Sequence, residues 1–270
     1  MLKKISFIIA LTVIVNSCTR VPITGRKQSA WGSETELQKM SATEYKKFIS
    51  EHKLTTNTSQ SDLVNKVGNN IATSITEFFK TYKDGKYYPQ ISSYQWEFNT
   101  VEDNTVNAWC MPGGKVVVYT GLLPVTKDEN GLAVVMGHEI AHAIAKHGNE
   151  RMTQQMKAQA LGTVLSTAVS GSPQATQDIF NIAFGVAGNL ELLKYSRKHE
   201  TEADKLGLVF MALAGYNPNE SIGFWERMSK LGGAKPPQIL STHPSDAQRI
   251  KDLQDWMPEA MKYYKTKESK

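Results

Sequence analysis

Gly137-His138-Glu139-Ile140-Ala141-His142-Ala143 is the stretch on which the reading of this chain turns. On a helix, residues four apart share a face, so His138 and His142 present two imidazoles side by side. Such a pair can bind one zinc ion, and Glu139, next to the first histidine, can hold an attacking water as general base. The flanks carry no charge: Val134, Val135, Met136 and Gly137 come before, and Ala143, Ile144 and Ala145 after. A solvated helix would place polar residues there. The pattern therefore predicts a buried helix from about Asp128 to His147, capped by Gly148.

Upstream, Ser33-Glu34-Thr35-Glu36 reads as a capping box that opens a helix to about Ser50. Leu63, Val64, Val67, Ile71, Ile75, Phe78 and Phe79 recur at helical spacing between Ser61 and Tyr82, and Asp84-Gly85 ends that helix. The period then changes. Tyr94, Trp96, Phe98 and Thr100 lie on one side of an alternating stretch, which predicts a strand over Tyr94 to Val101. A second strand, Lys115 to Thr120, is reached through Pro112-Gly113-Gly114. A small sheet beside the zinc helix follows. It either supports the helix or offers an edge on which an extended substrate backbone could pair. Downstream, apolar helical stretches run from about Glu150 to Val169 and from Ile179 to Leu193, separated by Gly171-Ser172-Pro173. With Gln159, Asn181, Asn189 and Glu191 inside them, they are too short and too polar to span a bilayer.

Zinc needs a further protein ligand, and the acidic run Glu200-Thr201-Glu202-Ala203-Asp204 is the best source. Helical spacing puts Glu200 and Asp204 on one face. A glutamate could coordinate while an aspartate one turn later accepts a hydrogen bond from the far nitrogen of a ligating histidine, fixing its tautomer. Glu202 is the rival ligand. Periodicity does not separate the two, because Ala203, Gly207 and Phe210 continue behind Glu200, and Leu206, Val209 and Leu213 behind Glu202.

The beginning of the chain reads as a targeting segment. Lys3 and Lys4 precede an apolar run from Ile5 to Val15, and Val15-Asn16-Ser17-Cys18 is similar to a bacterial lipobox. Residues 1–17 are thus expected to be a signal peptide, cut before Cys18, whose thiol and new amine would be acylated. Residues 18–32, with Pro22 and Gly25, read as a lipidated tether, and residues 33–270 as one catalytic domain. Cys18 and Cys110 are the only cysteines, so no intrachain disulfide is expected. A net charge of +5, a hydrophobic fraction of 40% and a charged fraction of 21% describe an ordinary globular chain with a mildly basic surface. Without a long basic run or a binding motif, nucleic acid is excluded as a partner.

Taken together, these stretches resemble peptidase family M48, the zinc metallopeptidases that include the CAAX prenyl proteases, in its soluble bacterial lipoprotein branch. His138-Glu139-Ile140-Ala141-His142 is similar to the zinc motif, and Glu200-Thr201-Glu202-Ala203-Asp204 to the family's E-x-x-x-D, which favours Glu200 as ligand. Asn107-Ala108-Trp109 through Pro112-Gly113-Gly114-Lys115 to Tyr119-Thr120-Gly121-Leu122 resembles the strand region. Thr242-His243-Pro244 with Arg249-Ile250 resembles the C-terminal signature, and Val21-Pro22-Ile23-Thr24-Gly25-Arg26 the tether. The likeness covers most of residues 20 to 255.

The resemblance implies a helix-rich, zincin-like α+β fold with a small β-sheet beside the H-E-x-x-H helix. It implies one zinc ion per chain on His138, His142 and Glu200, with Asp204 behind a ligating histidine and Glu139 as the base. The oxyanion needs a donor beyond zinc, and His243 is the candidate, with Tyr195 second. Pro244 disfavours helical backbone at His243, so an extended loop could carry this imidazole into the cleft. There it could serve catalysis, hold the open zinc position at rest, or anchor the loop. The implied function is a zinc-dependent endopeptidase acting on misfolded or misassembled cell-envelope proteins. The alternative is a zinc-stabilised periplasmic chaperone or binding module with little turnover. The expected partners are polypeptide substrates and a membrane, reached through lipid on Cys18. The expected location is the periplasmic side of a bacterial envelope, at the outer membrane.

Overall fold

Helical periodicity dominates the sequence, and helices dominate the structure, a computed structural model that describes residues 17–30, 33–82, 89–163, 173–184, 196–231, 237–243 and 247–264. In chain order the elements are β1 (Ser17–Arg20), β2 (Lys27–Ala30), α1 (Glu34–Glu51), α2 (Thr58–Thr81), α3 (Pro89–Ser92), β3 (Glu97–Val101), β4 (Ala108–Met111) and β5 (Lys115–Tyr119). They continue with α4 (Leu123–Thr126), α5 (Glu129–Ile144), α6 (His147–Thr163), α7 (Pro173–Phe184), α8 (Arg197–Leu213), α9 (Glu220–Lys230), α10 (Gln238–Thr242) and α11 (Ala247–Met261). The chain is α+β, with its small sheet packed on the central helix α5. Among the described residues, no helix is long and apolar enough to cross a membrane.

Short polar side chains start the helices that matter. Ser33 Oγ accepts from the Glu36 amide at 3.1 Å, and Asp128 Oδ1 from the Gly131 amide at 2.9 Å. Ser196 Oγ accepts from the His199 amide and opens α8. Each cap satisfies an amide that has no partner within its helix. Helix α2 starts a turn earlier than its apolar pattern suggests, because Asn57 caps it through the Gln60 amide.

Helix α5 is the axis of the domain, and every residue from Gly131 to Ile144 is buried. Its closest neighbour is α8, and two glycines set the distance between them. A Cβ on Gly137 would sit 2.9 Å from the Gly207 carbonyl oxygen, and one on Gly207 would sit 3.0 Å from the His138 amide nitrogen. Only the missing side chains let the two backbones meet. This crossing brings the histidines of α5 against the acidic start of α8.

The sheet has the order β3-β5-β4, with β3 parallel and β4 antiparallel to β5. The outer side of β3 is covered, since the Thr55 amide donates to Thr100 O at 2.9 Å and the Glu102 amide to Lys53 O at 2.8 Å. Strand β4 is the other edge and packs beside α5.

Several expected boundaries differ. The zinc-motif helix stops at Ile144, not His147, because Lys146 takes the left-handed conformation at φ 57°. His147 and Gly148 therefore open the next helix instead of closing this one. Pro173, expected as a breaker, is the first residue of α7, where its missing N–H has no helical partner to lose. The expected ends of both apolar stretches, up to Val169 and Leu193, lie outside the described residues. Of residues 18–32, expected as a lipidated tether, residues 18–30 are described and lie in the antiparallel pair β1–β2, whose turn buries Val21 and Pro22. Polar contacts of Thr24 and Arg26 hold that turn on the domain. Cys18 lies in β1 opposite Ser29, but its side chain lies outside the described part, and of the expected leader, residues 1–17, only Ser17 is described, as the first residue of β1. Cys110 is a free thiol.

Candidate metal and catalytic site

His138 and His142 point from α5 toward α8, and their Nε2 atoms lie 3.1 Å apart. Glu200, in the first turn of α8, places Oε1 3.4 Å from His142 Nε2 and Oε2 3.5 Å from His138 Nε2. His243, at the end of α10, brings Nδ1 to 2.9 Å from Glu200 Oε1 and 3.1 Å from His138 Nε2. Its backbone has left the helix, at φ −127° and ψ 78°, as the following proline demands. One donor atom from each of His138, His142, Glu200 and His243 lies within 4.8 Å of all the others, and all four residues are buried.

Behind His138, its Nδ1 lies 2.8 Å from Asp204 Oδ1. Arg249 clamps that carboxylate with Nε to Oδ2 at 2.8 Å and a terminal nitrogen to Oδ1 at 2.7 Å, and stacks 3.3 Å from the Trp225 ring centroid. Glu139 reaches the cluster from the side, with Oε1 3.5 Å from His243 Nε2.

The donor set fits a cation. Among the described residues, Glu139 Oε1 and Glu200 Oε2 are buried oxygens without a hydrogen-bond partner, with Arg249 Nη1 3.4 Å from Glu200 Oε2 and His243 Nε2 3.5 Å from Glu139 Oε1. Buried polar atoms are rarely left so, because desolvation is then uncompensated. A divalent metal among imidazole nitrogens and a carboxylate would offset that cost, and this mixture of nitrogen and oxygen donors suits zinc.

The charges follow from burial and pairing. Burial raises the Glu139 carboxyl above its ordinary value, partly opposed by His243 and His138. Burial also pushes Glu200 up, but His243, His138 and His142 outweigh it and hold the carboxyl well below the usual range. For His138, burial disfavours the charged ring, yet Asp204 and Glu200 prevail and raise it to about 9. Burial lowers His142 well below its ordinary value.

Glu202, the rival ligand, is not in the cluster. Its Oε2 lies 2.9 Å from Nε2 of His147, on the other side of α8. Tyr195 lies outside the described residues. The sequence reading missed a second group beside the first, made of buried His147 and His199 with half-buried Glu150 and Arg26. His147 Nδ1 lies 2.9 Å from His142 Nδ1, and His199 Nε2 lies 3.1 Å from Glu150 Oε2. Burial, helped by His199, brings His147 down to about 4 despite Glu202. Burial would raise Glu150, but His199 and Arg26 hold it at about 2. These residues come from the turn at Arg26, from α6 and from α8, so no local spacing announces them.

Comparison with known proteins adds an independent line. The model of the family described as Peptidase family M48 matches residues 87–257. The mitochondrial metalloendopeptidase OMA1 of Schizosaccharomyces pombe is 39% identical over 172 residues, covering 63% of this chain and 49% of that protein. The human mitochondrial metalloendopeptidase OMA1 is 30% identical over 253 residues, covering 89% of this chain and 46% of that protein. A putative beta-barrel assembly-enhancing protease of Vibrio cholerae is 32% identical over 166 residues, 58% of this chain and 34% of that protein. The chain thus spans about half the length, or less, of the curated relatives it matches. These relatives correct the expected location. Mitochondrial proteases of a fungus and of human are among them at higher coverage than the bacterial one, so the placement on the periplasmic side of a bacterial envelope is withdrawn.

Proposed function

Since the chain belongs to peptidase family M48, we propose that it is a metal-dependent endopeptidase, with zinc held by His138, His142 and Glu200. The convergence of four buried donors beside the unpartnered oxygen of Glu139 carries this reading. When bound, the metal supplies a Lewis acid that polarises the scissile carbonyl and eases ionisation of a water. Glu139 takes the proton from that water and delivers it to the leaving amine nitrogen. Its buried, raised carboxyl suits both halves of the task, since a base far below neutrality would return the proton poorly. Asp204 fixes the His138 tautomer, and the Arg249 clamp keeps that carboxylate in place.

His243 has its Nδ1 inside the donor cluster, which favours a resting role. There it would complete the donor set, and a substrate would have to displace it. Among the described residues no strand pairs with the outer edge of β4, beside α5, and this supports binding of an extended polypeptide by main-chain hydrogen bonds, with little demand on its sequence. The finer substrate class, misfolded or misassembled proteins, leans on the name of the Vibrio cholerae relative. Cys18 is retained as a proposed lipidation site on its sequence context alone.

The test is digestion of an unfolded protein such as casein by the purified chain, with metal content measured in parallel. Cleavage should require stoichiometric zinc, stop with chelator and return on adding zinc back. Zinc binding without cleavage would favour the binding-module alternative, and cleavage that ignores the chelator would remove the metal reading.

A further inference from the structure

The two histidines of α5 are backed differently. His138 leans directly on the Asp204 carboxylate. His142 Nδ1 instead meets another imidazole, His147 Nδ1, at 2.9 Å, and His147 Nε2 meets Glu202 Oε2 at 2.9 Å. For His142 Nε2 to offer a lone pair to a cation, the proton of the neutral ring must sit on Nδ1. That proton points at His147 Nδ1, which must then accept. Neutral His147 carries its own proton on Nε2 and donates it to Glu202. The whole proton order is therefore set at the far end, by a carboxylate that can only accept.

Glu202 is in turn held by the turn between β1 and β2. Thr24 Oγ1 donates to Glu202 Oε1, and Arg26 Nε donates to Oε2 at 2.6 Å. The terminal nitrogens of the same guanidinium grip Glu150 at 3.0 and 2.8 Å. A planar guanidinium can serve two carboxylates along two edges, which an ammonium cannot. The turn is shaped for this contact. It is closed by the Val21 amide on Arg26 O at 2.8 Å and the Gly25 amide on Val21 O at 3.0 Å, and it holds Ile23 in the left-handed region at φ 67°. A branched residue in that region is strained and persists only where the surroundings fix it. The group is not a second cation site, because the guanidinium joins both carboxylates and already supplies the positive charge.

We infer that Arg26 and Glu202 are positioning residues for the metal centre, holding His142 through His147 in its Nδ1–H tautomer and in one ring plane. The β1–β2 hairpin is then part of the support of the site, not a leash. This rests on the metal reading above.

Zinc dissociation constants measured on the full chain, by competition with a chromophoric chelator, test it. The proteins are the wild type, Arg26→Gln, Glu202→Gln and the double variant. Melting of the metal-free protein and the ring ¹⁵N shifts of His142 are recorded alongside. Each single variant should weaken zinc by about tenfold, the lower end of what loss of a direct partner of a ligating histidine costs, since both act through His147. The double variant should be no worse than the weaker single, because both act through one path. The His142 signals should move from one tautomer toward a mixture. A lowered melting temperature with unchanged zinc affinity and unchanged tautomer would overturn the inference alone, leaving a merely structural hairpin. Failure of the wild type to bind zinc would overturn the metal reading, and this inference with it. Should Glu202→Gln not fold, Arg26→Gln decides, since it leaves His147 and Glu202 in place.

Discussion

Gly207→Ala asks whether the site depends on how closely α5 and α8 cross. A methyl group on Gly207 would lie 3.0 Å from the His138 amide nitrogen, and 3.1 Å from both the His138 Cα and the Gly137 carbonyl carbon. Carbon contacts are comfortable from about 3.5 Å, so the helices must part by about 0.4 Å. The obstacle is backbone and cannot rotate aside. Helix propensity alone would favour alanine by about 1 kcal/mol. Overpacking of a tight contact costs about 1–3 kcal/mol, so the variant should be net destabilised by about 1 kcal/mol. The site should suffer more than the fold. The contacted residue is His138 itself, and α8 carries Glu200 and Asp204. A displacement of about 0.4 Å exceeds the roughly 0.2 Å tolerance of a metal–ligand distance. Zinc affinity should therefore fall about tenfold or more, equivalent to about 1.4 kcal/mol or more. Gly137→Ala meets the same contact from the other side, at 2.9 Å from Gly207 O, so the double variant should cost less than the two singles combined. Urea unfolding of the metal-free protein and chelator competition supply the two readouts. A Gly207→Ala protein more stable than wild type and equally tight for zinc would refute the idea that the crossing is at its contact limit.

Glu139→Gln should keep zinc and melting temperature and lower turnover by about 10²–10⁴-fold; near wild-type hydrolysis would end the general-base assignment. Glu200→Ala should leave the purified protein almost without zinc by elemental analysis, and full occupancy would move the ligand elsewhere. His243→Ala should keep zinc and raise turnover or self-cleavage if this histidine rests on the metal; a fall of about a hundredfold would make it an oxyanion donor instead. Glu150 stands at about 2 in the folded chain against an ordinary 4.5, so its stabilisation is complete above 4.5 and lost as pH falls through 2. The shift corresponds to about 3 kcal/mol at most, reduced to about 1–2 kcal/mol by solvent around this half-buried ion pair with Arg26. Glu150→Gln should lose that much at neutral pH and flatten the acid limb of a urea-midpoint profile between about pH 4.5 and 2; an unchanged limb would show that the pair contributes nothing.

Local chemistry made much of this molecule legible. The spacing of His138 and His142, the cap at Ser33 and the alternation ending at Val101 each depend on residues within a turn or a strand of one another. What escaped depends on distant partners. Strand β4 is four residues long and its burial does not alternate, because both faces are covered: Ala108 and Cys110 meet the main core, and Trp109 packs edge-on against Tyr45 and Phe48 of α1. The hairpin β1–β2 read as a leash because Pro22 and Gly25 are turn residues anywhere. The carboxylates that give Thr24 and Arg26 their purpose lie 124 to 178 positions further on. Lys146 ends α5 by a left-handed turn that its residue type does not favour, so Gly148 was the natural but wrong choice of cap.

The ambiguity between Glu200 and Glu202 has the most instructive cause. Amphipathic periodicity separates candidates only when a helix has one face in water. Helix α8 keeps only a narrow one, along Lys198, Thr201 and Lys205, while Glu200, Glu202, Ala203 and Asp204 are all buried. Residues two apart on a helix point to nearly opposite sides. Glu200 and Asp204 therefore meet the histidines of α5, while Glu202 turns to His147 and the hairpin. A carboxylate survives burial only with partners on its own side. Two acidic residues at that spacing in a helix buried on both sides therefore signal two cationic or imidazole partners on two sides. The reading of one ligand and one bystander misses this, because the second carboxylate has work of its own behind His142.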